Sequence, residues 1–82
     1  MTIRVLYFAA LRELMGVDEE EVALPPPITT IGALKAWLEG ARPPLKGRLA
    51  TVRLARNEEF ATDDEGLADG DVVALIPPVA GG

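Results

Sequence analysis

The strongest β-strand signal of the chain lies in the stretch 69–78, which reads DGDVVALIPP. Residues 72–76 are consecutive apolar residues rich in β-branched side chains, and such runs favour an extended strand. The turn residues 69–71 precede the run, and the two prolines at 77–78 end it because proline cannot donate a backbone hydrogen bond. The stretch therefore predicts a strand that leads directly into the last residues of the chain.

The other terminal strand is predicted over residues 3–8, where both alternating faces are apolar. A strand of this kind is covered on both sides or lies in the middle of a sheet. Residues 9–15 follow at helical spacing and predict a short helix ended by Gly16. The two terminal strands are therefore expected side by side in the centre of one sheet, an arrangement that the right-handed crossover rule permits.

The acidic run 18–21 leads into a second strand at 22–24, which the triple proline 25–27 stops. We expect this strand at an edge of the sheet, with the acidic run as a solvated face that discourages pairing with other chains. A binding role for the run is the alternative.

The main helix is predicted from the helical spacing of Ile31, Leu34 and Leu38, with Thr29 or Thr30 as its cap and Gly40 as its end. Beyond it, we expect a strand over 49–54, a turn at 57–59 and a short return at 60–62. The elements together predict an α+β fold of the β-grasp, or ubiquitin-like, layout. In it, one main helix packs on one face of a mixed sheet. We expect residues 1–76 to form this domain and residues 77–82 to form a flexible, extended C-terminal tail.

Length and charge limit the classes of function. A chain of 82 residues supports one domain. No apolar run is long enough to cross a bilayer and no secretory signal is evident, so a cytoplasmic protein without a membrane partner is expected. The net charge of −5 opposes binding to nucleic acid, whereas it allows attraction to a basic surface of a partner protein.

The residue types that are missing limit the chemistry. The sequence contains no histidine, cysteine or serine, and these types supply the commonest general base and the usual nucleophiles. Thirteen carboxylates leave an acid-base pair or a magnesium site open. Catalysis by the chain on its own is not expected, and neither is a bound cofactor or metal.

The last six residues, PPVAGG, are the candidate site. Prolines favour an extended backbone, and terminal glycines fit a slot too narrow for side chains. A carboxylate is a poor electrophile, so a reactive C-terminal carbonyl needs activation, for which ATP is the usual reagent. Since no phosphate-binding loop is present, a partner enzyme would use the ATP. The activated carbonyl could then accept sulfur or an amine, whereas a frayed terminus is the alternative interpretation of the two glycines.

Three segments carry a resemblance to a known family. Residues 67–82, 5–16 and 56–60 resemble the small subunit of molybdopterin synthase, and the likeness covers essentially the whole chain. The resemblance implies a β-grasp sulfur carrier whose Gly82 is adenylated by an activating enzyme and converted to a thiocarboxylate by a sulfur donor protein. It also implies a hetero-oligomer in which the tail enters the large subunit and gives sulfur to a cyclic pyranopterin, to build the molybdenum cofactor.

Within this interpretation, Gly82 is the reactive residue of the tail. The residues that would thread into the partner are Pro77, Pro78, Val79, Ala80 and Gly81. Candidates for the partner interface are Leu75, Val79 and Phe60, although Leu75 could equally belong to the core. The sequence departs from the family at 75–76, where an aromatic pair is frequent, and at Arg56, where an aliphatic residue is common.

Two other functions stay open at this point. Terminal Gly-Gly is shared with thiamine-pathway sulfur carriers and with ubiquitin-like modifiers, whose activation also begins with an acyl adenylate. An ordinary interaction domain is the third possibility.

Overall fold

The computed structural model describes residues 1–78 of the chain. Its order of elements mixes five strands with two α-helices and a single-turn 3₁₀ helix. In chain order the elements are β1 (Thr2–Tyr7), α1 (Ala9–Met15), β2 (Glu19–Ala23), α2 (Ile31–Ala41), the 3₁₀ helix (Pro43–Leu45), β3 (Arg53–Arg56), β4 (Glu59–Phe60) and β5 (Val72–Ile76).

The strands form one mixed sheet in the order β2-β1-β5-β3-β4. β1 and β5 are parallel, with Val5 opposite Val73, whereas β2 and β3 run antiparallel to their central neighbours. The two terminal strands therefore lie side by side in the centre, as the sequence predicted. β2 is an edge strand, which is also confirmed.

The core lies between the sheet and α2. Thr30 caps this helix by accepting a hydrogen bond from the Ala33 N–H at 3.2 Å. Leu34 and Leu38 of the helix are fully buried against alternate residues of β1 and β5. This packing on one face, together with the mixed sheet, gives the α+β, β-grasp fold that the sequence predicted.

The predicted end of α2 and the start of β3 are wrong. α2 continues past Gly40 to Ala41, because the Arg42 N–H still donates to the Leu38 carbonyl at 2.8 Å. β3 begins at Arg53, four residues later than predicted. The residues before it form turns, and their apolar side chains, such as Leu49, are buried without being part of the sheet.

Two tight turns lie at the ends of strands in this part of the sheet. Asn57 and Glu58 both have positive φ, 50° and 72°, so the β3-β4 hairpin has the backbone of a type I′ turn, whose twist suits a two-residue hairpin. Gly70, with φ of 86°, makes the turn before β5. Among residues 1–78, no helix has the length and apolar character needed to span a membrane.

Candidate functional site: the open sheet face and the base of the tail

The tail begins at the centre of the sheet. β5 is flanked by β1 and β3, and its last residue, Ile76, is paired with Arg53 of β3. Pro77 is half-buried and Pro78 is exposed. Val79, Ala80, Gly81 and Gly82 lie outside the described residues, so their predicted roles in threading and sulfur chemistry stay predictions.

The face of the sheet opposite α2 carries an apolar groove of about 550 Å³. It arises because successive strand side chains point to opposite faces, and on β1 and β5 both faces are apolar. The apolar side chains that line it include Leu6, Phe8, Phe60, Val72, Ala74 and Ile76. We call this surface the open groove.

The structure decides between the two alternatives predicted for β1. This strand lies in mid-sheet, as one of the two predicted alternatives required, but it is not covered on both sides. Ile3, Val5 and Tyr7 face the core, whereas Leu6 is half-buried and Phe8 is 44% exposed. Exposed apolar patches of this kind frequently mark interaction surfaces.

Charged residues border the open groove in two different ways. On the β1-β2 side, Arg4 is neutralised by Glu19 at 2.9 Å and lies 3.8 Å from Glu21. On the β3-β4 side, the guanidinium carbon of Arg53 lies 3.6 Å from the centroid of the Phe60 ring. The first flank consists of ion pairs, whereas the second combines a cation stacked on an aromatic ring with the exposed carboxylate of Glu58, which lines the groove.

The predicted interface residues separate into two groups. Leu75 is 0% exposed and packs in the core with Leu54, its partner on β3, so the proposal that it anchors a partner is wrong and the core alternative holds. The reason is that alternate side chains of a strand point to the same face of the sheet, so Leu75 lies with Val73 on the face that α2 covers. Phe60 is 55% exposed beside the open groove, and its role at an interface stays a prediction.

Sequence reasoning missed most of the open groove. Local patterns assign Leu6, Val72 and Ile76 only to strands, and they place Arg53 in a strand without indicating a function. The available signal was the doubly apolar pattern of β1 and β5 combined with a single main helix. One helix covers only one face of a sheet, so the second apolar face has no cover within this layout.

The start of β5 is held by the buried carboxylate of Asp71. It accepts hydrogen bonds from the Ala68 N–H at 2.8 Å, from Asn57 Nδ2 at 3.0 Å and from Arg56 Nη1 at 3.2 Å. Burial opposes the charge on this carboxylate, but the three donors outweigh burial and lower the pKa of Asp71. The network ties the hairpin turn to β5, the strand from which the tail continues.

A second polar cluster lies on the helix side of the sheet. Arg42 donates to both carboxylate oxygens of Glu20, from Nη2 at 2.8 Å and from Nε at 3.1 Å, and the Tyr7 hydroxyl donates to the same carboxylate. The hydrogen bonds from Arg42 lower the pKa of Glu20. Burial, followed by the bond to Glu20, raises the pKa of Tyr7, so the phenol stays protonated at neutral pH.

This cluster modifies the interpretation of the acidic run. Glu19 and Glu21 are exposed, as expected for a solvated edge. Glu20 instead forms an ion pair with Arg42, which connects β2 to the residue that follows α2. Across residues 1–78, no group of three or more acidic side chains is arranged to hold a metal ion.

Comparison with known proteins places the chain in a family. The ThiS family profile matches residues 5–82. A molybdopterin synthase sulfur carrier subunit from Chlamydomonas reinhardtii is 43% identical, and the alignment covers 100% of both chains. The subunit of the same name from Escherichia coli is 40% identical over 98% of this chain and 99% of its own.

Solved structures agree with the fold. SAMP1 from Haloferax volcanii, the small archaeal modifier protein 1, superposes with a TM-score of 0.85 at 32% identity, with 100% of both chains covered. A complex of subunits 1 and 2 of molybdopterin-converting factor from Helicobacter pylori contains a chain with a TM-score of 0.71 at 26% identity, again over 100% of both chains. By sequence and by fold, this chain belongs to the ThiS family and groups with the molybdopterin synthase sulfur carrier subunits.

Proposed function

We propose that this chain is the sulfur carrier subunit of a molybdopterin synthase, in which Gly82 carries the sulfur. The observation that carries the proposal is the 43% identity, over 100% of both chains, to the subunit of that name from Chlamydomonas reinhardtii. The fold is compatible with this role, because the central strand β5 leads into the tail at one end of the sheet.

The chemistry takes place at the terminal carboxylate in two steps. The carboxylate first attacks the α-phosphorus of ATP on an adenylating partner enzyme, which forms an acyl adenylate and releases pyrophosphate. A sulfide equivalent from a sulfur donor protein then displaces AMP, so that one carboxylate oxygen leaves with AMP and sulfur takes its place. The thiocarboxylate sulfur then forms a bond to a carbon of a cyclic pyranopterin in the large subunit, and water hydrolyses the bond between this sulfur and the Gly82 carbonyl, which restores the carboxylate.

The residues of the chain suit a carrier better than a catalyst. Histidine, cysteine and serine are absent from the sequence, and the polar clusters at Asp71 and Glu20 are hydrogen-bonded within the fold. On this proposal, a partner supplies the acid-base groups for sulfur transfer. ATP serves as a substrate of the activating enzyme and is not a cofactor of this chain.

The open groove is the proposed docking surface for the large subunit. It lies beside the base of the tail, so a partner that covers it would also receive the residues after Pro78. A solved complex of the two subunits of the Helicobacter pylori factor supports a hetero-oligomer of this kind. Activation that depends on ATP favours a cytoplasmic location.

Intact mass spectrometry tests the sulfur chemistry. After incubation with the cognate activating enzyme, ATP and a sulfur donor, we expect the mass increase that corresponds to replacement of one oxygen by sulfur. Deletion of Gly82 should abolish this product and sulfur transfer, while the melting temperature stays within about 1 °C because no core residue changes. Full activity of the shortened chain would overturn the proposal.

A protein modifier is the second candidate. The similarity to small archaeal modifier protein 1 favours it, because a modifier and a sulfur carrier share the acyl adenylate. The same incubation in a cell extract separates the two functions. Isopeptide-linked conjugates on lysines of other proteins, without sulfur transfer to a pyranopterin, would establish the modifier.

A further inference from the structure

We propose that Arg53, stacked on Phe60, is a specificity residue that binds a carboxylate on the docking surface of the large subunit. This inference rests on the proposed function, since it concerns the same open groove and the same partner. It adds a chemical requirement for that partner: an acidic side chain next to the apolar group that fills the groove.

Charge distribution is the first argument. The chain has a net charge of −5, and within residues 1–78 most cations have carboxylate partners, including Arg4 on the opposite flank of the open groove. Arg53 is exposed and has no carboxylate within ion-pair distance in this part of the chain. Of the two arginines that border the open groove, Arg53 is therefore the one available to bind an anionic group of a partner.

The geometry of the Arg53-Phe60 contact is the second argument. With the guanidinium carbon 3.6 Å from the ring centroid, the cation is in contact with the aromatic ring. Stacking leaves the N–H groups on the guanidinium edge free to bind a carboxylate through two parallel hydrogen bonds. It also restrains a long side chain before binding, which reduces the entropy lost when the complex forms.

Position is the third argument. Arg53 is paired with Ile76, the last residue of β5 before Pro77, so the cation lies beside the base of the tail. A carboxylate bound there would hold the partner in register at the point where the tail leaves the sheet. Paired charges at such a position contribute to orientation and partner choice as well as to affinity.

Binding of the cognate large subunit, measured by isothermal titration calorimetry at low and high salt, tests the inference. Arg53→Glu should weaken binding by about tenfold or more, because it places like charges together, and should reduce the salt dependence of binding. Arg53→Lys keeps the charge but loses the two-hydrogen-bond geometry, and a loss of about threefold is expected. Arg48→Glu makes the same charge change at an exposed arginine outside the open groove and should bind nearly as the unmodified chain does.

A third variant, Ile76→Asp, separates this inference from the proposed function. If Ile76→Asp abolishes binding while Arg53→Glu matches Arg48→Glu, the open groove is the docking surface and the role of Arg53 is refuted. If Ile76→Asp has no effect on binding, the groove is not the docking surface and both proposals about this face fail. Absence of binding by the unmodified chain would overturn the proposed function and this inference with it. Circular dichroism melting of each variant checks that it is folded.

Discussion

The role of Glu20 is evident only from the tertiary structure. In the sequence it is one of four consecutive acidic residues, 18–21, and nothing local separates it from Glu21. In the structure its carboxylate accepts hydrogen bonds from two nitrogens of Arg42, Nε and Nη2, and from the Tyr7 hydroxyl. These bonds connect the edge strand β2 to the segment that follows α2.

The change Glu20→Gln should therefore destabilise the fold by about 1–2 kcal/mol at neutral pH, because it removes a charge-assisted pair that is largely shielded from solvent. The pKa of Glu20 is lowered in the folded state. Its contribution is thus fully present above the unfolded pKa of about 4.3 and is lost as the pH falls through the lower folded value. The difference between the two proteins should shrink in acid.

Urea denaturation at a series of pH values measures this difference. Glu21→Gln is the matched control, since Glu21 is exposed and its nearest cationic atom is 3.8 Å away. Equal stability of the Glu20 and Glu21 variants at neutral pH would contradict a structural role for the ion pair.

At the scale of elements, the packing of α2 against the loop at residues 63–65 depends on Gly32, although glycine has a low helix propensity. The N–H of Gly32 donates to the Asp63 carbonyl at 2.9 Å, and the N–H of Ile31 donates to Glu65 at 2.9 Å. A Cβ at position 32 would lie 3.0 Å from the Asp63 Cβ and 3.2 Å from its carbonyl oxygen. The loop therefore approaches the helix as closely as the missing side chain permits.

We expect Gly32→Ala to lose about 1–2 kcal/mol of stability, although alanine is the better helix former. Relief of the clash would displace the carbonyl that accepts the helical N–H, so the hydrogen bond would weaken. Gly40→Ala, in the same helix, meets no atom within 4 Å and should gain about 0.5–1 kcal/mol. Thermal unfolding of both variants measures the contrast, and a gain at both positions would show that the loop adapts freely.

At the scale of the whole molecule, the sheet has one face for stability and one for recognition. Val72 and Val73 are neighbours on the central strand β5 and have the same intrinsic strand preference. Val73 is 0% exposed on the α2 side, whereas Val72 borders the open groove. The same substitution at each of the two positions therefore tests whether one face of the sheet contributes stability and the other contributes binding.

Val73→Ala should cost about 2–4 kcal/mol, because it leaves a cavity in the core. Val72→Ala should cost about 1 kcal/mol or less and should instead weaken binding of the large subunit. Chemical denaturation and calorimetry, applied to both variants, give the two readouts. A larger loss of stability at Val72 than at Val73 would mean that the core lies on the other face.

Local sequence patterns predicted much of this architecture. The doubly apolar runs at 3–8 and 72–76 indicated the central strands, and the spacing from Ile31 to Leu38 indicated the main helix. They succeeded because apolar side chains on both faces of a strand and the helical spacing of apolar residues can be recognised from neighbouring residues alone. The end of α2 and the start of β3 were misplaced, because Gly40 has no positive φ to break the helix and buried turns at 49–52 look like a strand.

By itself, the sequence determined the element types, the central place of both terminal strands and the chemistry that the missing residue types exclude. Tertiary structure alone decided which alternate face of β5 meets α2, and so whether Leu75 or Ile76 is available to a partner. It also decided that Arg53 stacks on Phe60 and that Glu20 binds Arg42. The physical reason is that the register between distant segments decides which alternate side chains of a strand face the core and which side chains form pairs. The alternation of residues along one strand does not specify that register.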